Sequence, residues 1–136
     1  MPDITVADRV AIHETIALHG HLADDRAWDR LDEVFADDVV FDLTDYGYGT
    51  LHGLRAMRDL ARGSRDAANQ PMGHHVTNIV IVGQDRENVR VRSKALAVAA
   101  DGTSASAVYE DVLLREPRGW RIGYRKVVAR RGPAVG

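Results

Sequence analysis

The second half of the chain is the part that most narrows the fold. His75 to Val82, Asn88 to Ala100, Ser104 to Arg115 and Trp120 to Arg130 are β-rich runs, separated only by Gly83-Gln84-Asp85, Asp101-Gly102 and Pro117-Arg118-Gly119. Glycine, proline and aspartate in such short connections make hairpin turns, so these runs predict an antiparallel meander. Its apolar face needs a cover, and the chain that precedes it is mostly helical in pattern.

From Thr5 to Ala23, Val6, Val10, Ile12, Ile16 and Ala23 recur at mostly helical spacing, and Thr5 or Asp8 can cap the start. Asp24-Asp25-Arg26-Ala27 interrupts the pattern, and Trp28, Leu31 and Phe35 resume it as a short second helix. Val39 to Leu43 alternates as a strand, and Thr44 to Thr50 is a glycine-containing loop. Gly53 to Arg62 reads as a third helix through Leu54, Met57, Leu60 and Ala61, with Gly63 to Pro71 as its exit loop. Helices first and strands afterwards predict an α+β fold with the helices on one face of the sheet. With 136 residues there is room for one core, which we assign to a single domain over 1–131, followed by a loose tail at 132–136.

Composition removes several functions. The chain has no cysteine, so disulfides, thiolate nucleophiles and cysteine-bound zinc are excluded. A net charge of −2 offers no basic field for a phosphate backbone, so nucleic acid is not an expected partner. A hydrophobic share of 45% against 28% charged residues is that of an ordinary globule, not a membrane protein. Met1 to Ala7 carry no apolar run of export-signal length, and we expect a cytoplasmic protein.

Strand parity points to a ligand. Arg90, Arg92 and Lys94 share one face, which leaves Val89, Val91, Ser93, Ala95 and Ala97 on the other. Ser104, Ala105, Ser106 and Ala107 continue this run of small side chains. Either another surface packs closely on it, or a cavity is left for a small molecule.

The order Asp24, Trp28-Asp29-Arg30-Leu31, Val34-Phe35-Ala36-Asp37-Asp38-Val39, then Met72-Gly73-His74-His75-Val76-Thr77-Asn78-Ile79, and finally Gly119-Trp120-Arg121-Ile122 before Arg125 resembles the SnoaL-like polyketide cyclases and their nuclear transport factor 2-like relatives. It extends over nearly the whole chain. The resemblance implies a cone-shaped α+β barrel: three N-terminal helices packed in a strongly curved, mixed, mostly antiparallel sheet, open at one end to a hydrophobic pocket. It also implies assembly as a homodimer or homotrimer. Such a scaffold hosts many tasks.

Within that superfamily the sequence looks most like the branch with scytalone dehydratase and bile-acid 7α-dehydratase, whose pockets use a histidine at the start of this strand. By its place before Val76-Thr77-Asn78-Ile79, that residue is His75. The bile-acid dehydratase pattern has an aspartate matched by Asp24, and a tyrosine where this chain has His19. The scytalone dehydratase carboxylate is replaced by His21, and its second strand histidine has no counterpart among Ser104, Ala105 and Ser106. The resemblance therefore carries an acid-base pair but not a substrate.

A neutral imidazole can take a proton from beside a carbonyl while a carboxylate fixes its tautomer and stabilises the imidazolium. His75 with Asp24 would thus serve dehydration, isomerisation or aldol-type cyclisation without a metal or other cofactor. His19, Trp28, Tyr46, Tyr48 and Tyr109 are the expected substrate-binding residues. His19 and His21 lie about 200° apart on a helix, and we place His19 inward, near the face of Ile12 and Ile16. His19 and Asp24 are about 140° apart on the same count and converge only if Asp24 sits past the helix end. Adjacent His74 and His75 point to opposite faces of a strand, which disfavours a metal site.

Plainer roles remain open for each residue. His75 can be a hydrogen-bonded histidine at a strand start, Asp24 a helix terminator, Tyr109 and Tyr124 core residues, and Arg121, Arg125, Arg130 and Arg131 a solvated strand face. Two functions follow. One is a cofactor-independent lyase, isomerase or cyclase acting on a small hydrophobic polycyclic or polyketide-like molecule. The other is a non-catalytic ligand-binding or assembly module, like an oxygenase small subunit, with a partner on the Arg90, Arg92 and Lys94 face.

Overall fold

A computed structural model describes residues 3–63 and 71–130. The proposed tail at 132–136, Arg131 and most of the exit loop lie outside the described residues. Helix α1 (Val6–Asp24) starts with a capping box, in which the Thr5 hydroxyl accepts from the Asp8 amide at 3.0 Å and the Asp8 carboxylate accepts from the Thr5 amide at 2.9 Å. Asp8 also takes Arg115 at 2.9 Å and the Trp120 indole N–H at 3.3 Å. One carboxylate thereby begins the helix and ties it to the end of the sheet.

A 3₁₀ helix (Trp28–Glu33) follows, then β1 (Phe35–Asp42), a 3₁₀ turn (Thr44–Tyr46), β2 (Thr50–His52), helix α2 (Leu54–Gly63) and the strands β3 (Pro71–Asp85), β4 (Asn88–Ala99), β5 (Ser104–Glu116) and β6 (Gly119–Ala129). The second helix expected from Trp28 to Phe35 is thus a six-residue 3₁₀ segment without a side-chain cap, a length at which the tighter helix is common. Phe35 belongs to the strand instead. The expected loop from Thr44 to Thr50 contains the second 3₁₀ turn and runs into β2.

The sheet order is β2-β1-β6-β5-β4-β3. β1 runs parallel to β6, and the other pairings are antiparallel. This is the α+β, mixed and mostly antiparallel arrangement expected, with an open sheet whose edges are β2 and β3, rather than a closed barrel. α1 packs across β3 and β6, burying Ile12, Ile16 and Leu22 against Phe35, Val39, Val89, Val91, Leu113 and Ile122.

Two of the sheet's register shifts set which side chains around the middle of β3 and β6 face inward. Thr77 pairs with Lys94 but Val80 with Arg92, so β3 carries an extra residue at Asn78 and Ile79, with Asn78 at φ 55°. Val112 pairs with Tyr124 but Leu113 with Ile122, so Gly123 is the extra residue of β6. Each such bulge shifts the alternation by one. Ile81 is inward after the β3 bulge, whereas His74 and Val76 are inward before it. In β6 the inward residues change from Ile122 to Arg125 and Val127.

The parity expected for β4 is present, with Val89, Val91 and Ser93 all buried. Ser93 Oγ is sealed from solvent and has no hydrogen-bond partner among the described residues. An unsatisfied buried hydroxyl costs about 1–3 kcal/mol. Ser93→Ala is therefore expected to raise stability by about 1 kcal/mol in urea unfolding.

Gly20 gives the opposite prediction. A Cβ there would sit 2.6 Å from the His74 carbonyl oxygen, so only glycine lets α1 come this close to β3. Alanine is the better helix former by about 1 kcal/mol, yet Gly20→Ala should lower the unfolding free energy by about 1–3 kcal/mol through overpacking, measured by the same titration.

Candidate functional site

The inner face of the sheet carries small residues next to α1. Across the inner face Val76 pairs with Ala95, Ala95 with Ala107, and Ala107 with Ala129, while His74 pairs with Ala97 and Ala97 with Ala105. Ala95 and Ala97 are only half-buried, so the space left by small side chains beside His74 is not filled by core. Further along the same face, Tyr109 faces Ser93 on one side and Val127 on the other, and Asp111 faces Val91 and Arg125.

Asp24 ends α1 and reaches β3. Its carboxylate accepts from the backbone amide of His74 at 2.9 and 3.1 Å, and its Oδ1 lies 2.7 Å from His74 Nδ1. The amide contacts fix the carboxylate, and the ring contact selects a tautomer. A carboxylate only accepts, so Nδ1 carries hydrogen and Nε2 of the neutral ring is left with its lone pair. The expected partner, His75, is placed differently: it is exposed on the other face of β3, with its ring folded over Gly73. The Asn78 bulge is the reason. Counting back by twos from inward Ile79 and Ile81 selects His75, whereas the extra residue moves the inward position to His74.

A second cluster lies below. Arg125 is fully buried and donates to Asp111 through Nε at 2.7 Å and Nη2 at 2.8 Å. Its Nη1 donates to His19 Nδ1 at 2.8 Å, and its guanidinium stacks 3.8 Å from the centre of the Tyr109 ring. Burial by itself would lower the Arg125 pKa, but the charge and hydrogen bonds of Asp111 outweigh it and the net direction is upward. His19 packs edge-on against Phe35, with ring centres 5.1 Å apart. Its pKa is held well below 6.5, first by burial, then by Arg125 and by His74. Burial raises the Tyr109 pKa, and this phenol stays protonated.

The arginine series expected on a solvated face is therefore split. Arg125 is buried because Gly123 shifts the strand, and Arg121 is buried because it donates to the Asp32 carbonyl at 2.7 Å and to the Trp120 carbonyl at 2.9 Å. A lone glycine inside a strand pattern signals such a bulge, as a glycine within a helix signals the close approach at Gly20.

Of the other expected residues, His19 points inward and His21 outward. Tyr109 is buried on the inner face, and Tyr46 acts on it electrostatically. Trp28 packs against the main core, and its carbonyl accepts from Arg58 at 2.9 Å. Tyr48 is 75% exposed in its loop and is not brought to the other site residues. Tyr124 lies on the outer face, its hydroxyl donating to Asp42 at 3.1 Å.

A family model for the SnoaL-like domain matches residues 5–126. The chain belongs to the SnoaL-like domain family. No curated protein matches it significantly. Among solved structures, this SnoaL-like chain is similar to a cystatin-like-fold protein of unknown function from Nostoc punctiforme, at 19% identity over 95% of this chain and 96% of that one, with a TM-score of 0.80. It is also similar to a candidate scytalone dehydratase from Novosphingobium aromaticivorans, at 18% identity over 93% and 86%, TM-score 0.75. A third is the beta subunit of a candidate aromatic-ring-hydroxylating dioxygenase from the same organism, at 17% identity over 93% and 91%, TM-score 0.69. These likenesses establish the fold. No helix among the described residues is long and apolar enough to cross a membrane.

The buried imidazole has a measurable consequence. Folded His19 refuses a proton that the unfolded chain accepts below about pH 6.5, so the unfolded state binds more protons there and stability falls with falling pH. The slope from one such group approaches about 1.4 kcal/mol per pH unit. Urea unfolding of wild type and His19→Gln across this range should show a shallower dependence in the variant.

Proposed function

We propose that this SnoaL-like protein is a cofactor-independent lyase, isomerase or cyclase in which His74 is the general base and Asp24 its partner. The observation that carries this reading is the 2.7 Å contact between Asp24 Oδ1 and His74 Nδ1, made beside an inner surface of half-covered alanines. His74 Nε2 has no partner among the described residues and takes a proton from carbon next to a substrate carbonyl. The electron pair moves to the carbonyl oxygen. In a dehydration, collapse of this enolate expels the β-oxygen, which leaves as water with the proton returned by the imidazolium. The alanine-lined space suits a small hydrophobic polycyclic or polyketide-like molecule.

The second reading, a non-catalytic binding or assembly module, draws on the outer face. There Arg90, Arg92 and Lys94 are exposed beside Val80 and Val82, and the dioxygenase beta subunit shares the fold. Copurification with a large oxygenase chain would favour it.

Turnover of β-hydroxy ketones of this size separates the two. His74→Gln and Asp24→Asn should each lower kcat by about 10²- to 10⁴-fold, while His75→Ala keeps wild-type rates. Equal activity of all three variants would overturn the assignment.

A further inference from the structure

The two inward histidines are held in opposite ways. Asp24 accepts at His74 Nδ1, so the outward Nε2 of the neutral ring is a base. Arginine has hydrogens to donate and no lone pair to offer, so His19 Nδ1 must accept from Arg125 and the single ring hydrogen of neutral His19 is on Nε2. No described residue accepts from that Nε2–H. His19 as a whole is only half-buried. Its Nε2–H therefore has no acceptor among the described residues on a ring that is not fully enclosed, and His19 is near enough to His74 for the two rings to interact electrostatically.

We propose that His19 is a second catalytic residue, a neutral imidazole whose Nε2–H donates to the substrate oxygen that becomes negative when His74 removes a proton, with Arg125 and Asp111 as positioning residues that enforce its tautomer. The proposal rests on the acid-base reading of His74 and Asp24 and names the group that stabilises its enolate. A preorganised donor in a dry site acts where charge develops and needs no reorganisation. A neutral imidazole suits this better than an imidazolium, which would lose its proton to the enolate instead of holding it by a hydrogen bond. Arg125 is too deeply buried to touch a ligand. Its influence reaches the substrate through His19, and Asp111 balances the charge that would otherwise make the arrangement prohibitive.

Two measurements test this without a known substrate. Nitrogen-15 NMR of the histidine rings should show His19 as the Nε2–H tautomer and His74 as Nδ1–H in the same protein. The double variant Arg125→Met/Asp111→Leu, which removes both buried charges and leaves neither unpaired, should lose the His19 preference while His74 keeps its own. A His19 signal with hydrogen on Nδ1, or one unchanged in the double variant, would overturn the positioning role.

The second probe is 4-nitrophenolate, an oxyanion on an apolar ring, followed by its absorbance at mildly alkaline pH. His19→Phe should weaken its binding about ten- to hundredfold, the range for a hydrogen bond to a charged group, whereas Asp24→Asn should change it far less. Equal binding by His19→Phe, or no uptake by the wild type, would refute the donor. Because the probe undergoes no proton removal, its binding can fail while the His74 and Asp24 variants still abolish turnover, and the converse separates the two readings equally.

Discussion

A guanidinium fully buried between α1 and the sheet is the constraint around which the interior is arranged. A buried charge is tolerable only when paired and hydrogen-bonded, and Arg125 satisfies this with both oxygens' worth of Asp111 directly across the β5–β6 ladder. Its remaining contacts reach beyond the sheet, to His19 on α1 and to the face of Tyr109. Because the planar fork of arginine permits few geometries, the depth and rotation of α1 are coupled to the register of two strands. A helix that rotated or slid would leave a fully buried donor without its acceptor.

The upper end of α1 is held by a different device. Asp24 gathers the backbone and ring of His74, and Gly20 lets the helix approach the strand closely enough for that. The helix thus meets the sheet through polar contacts at Asp8, His19 and Asp24, with aliphatic packing of Ile12, Ile16 and Leu22 supplying adhesion but little directional information. The contacts of His19 and Asp24 each involve one histidine. The acid sets one tautomer and the arginine sets the other, so two chemically identical side chains are held with opposite hydrogen-bonding character.

Much of this was legible in the chain. The helix-then-meander order, the turns, the small inner face of β4 and the inward direction of His19 follow from periodicities that local sterics impose. What failed were the places where periodicity itself is interrupted. The resemblance points to His75 and the plainer reading puts Arg125 on a solvated face, whereas the bulge at Asn78 brings His74 to Asp24 and the one at Gly123 turns Arg125 inward. The 3₁₀ segment at Trp28 is indistinguishable from an ordinary helix in sequence, because apolar spacing over six residues is compatible with either.

The sequence by itself determined the family, the α+β class, the strand order along the chain and the absence of thiol chemistry, because these depend on residue type and short-range period. Tertiary structure decided which histidine meets Asp24, that Arg125 and Asp111 are buried together, and which ring nitrogen of His19 carries the hydrogen. Those outcomes depend on bulges, on a helix-to-strand approach set by Gly20, and on partners as far apart in sequence as residues 19 and 125. No local pattern records them, because the free energy that selects them is the cost of leaving a buried donor, acceptor or charge without its counterpart.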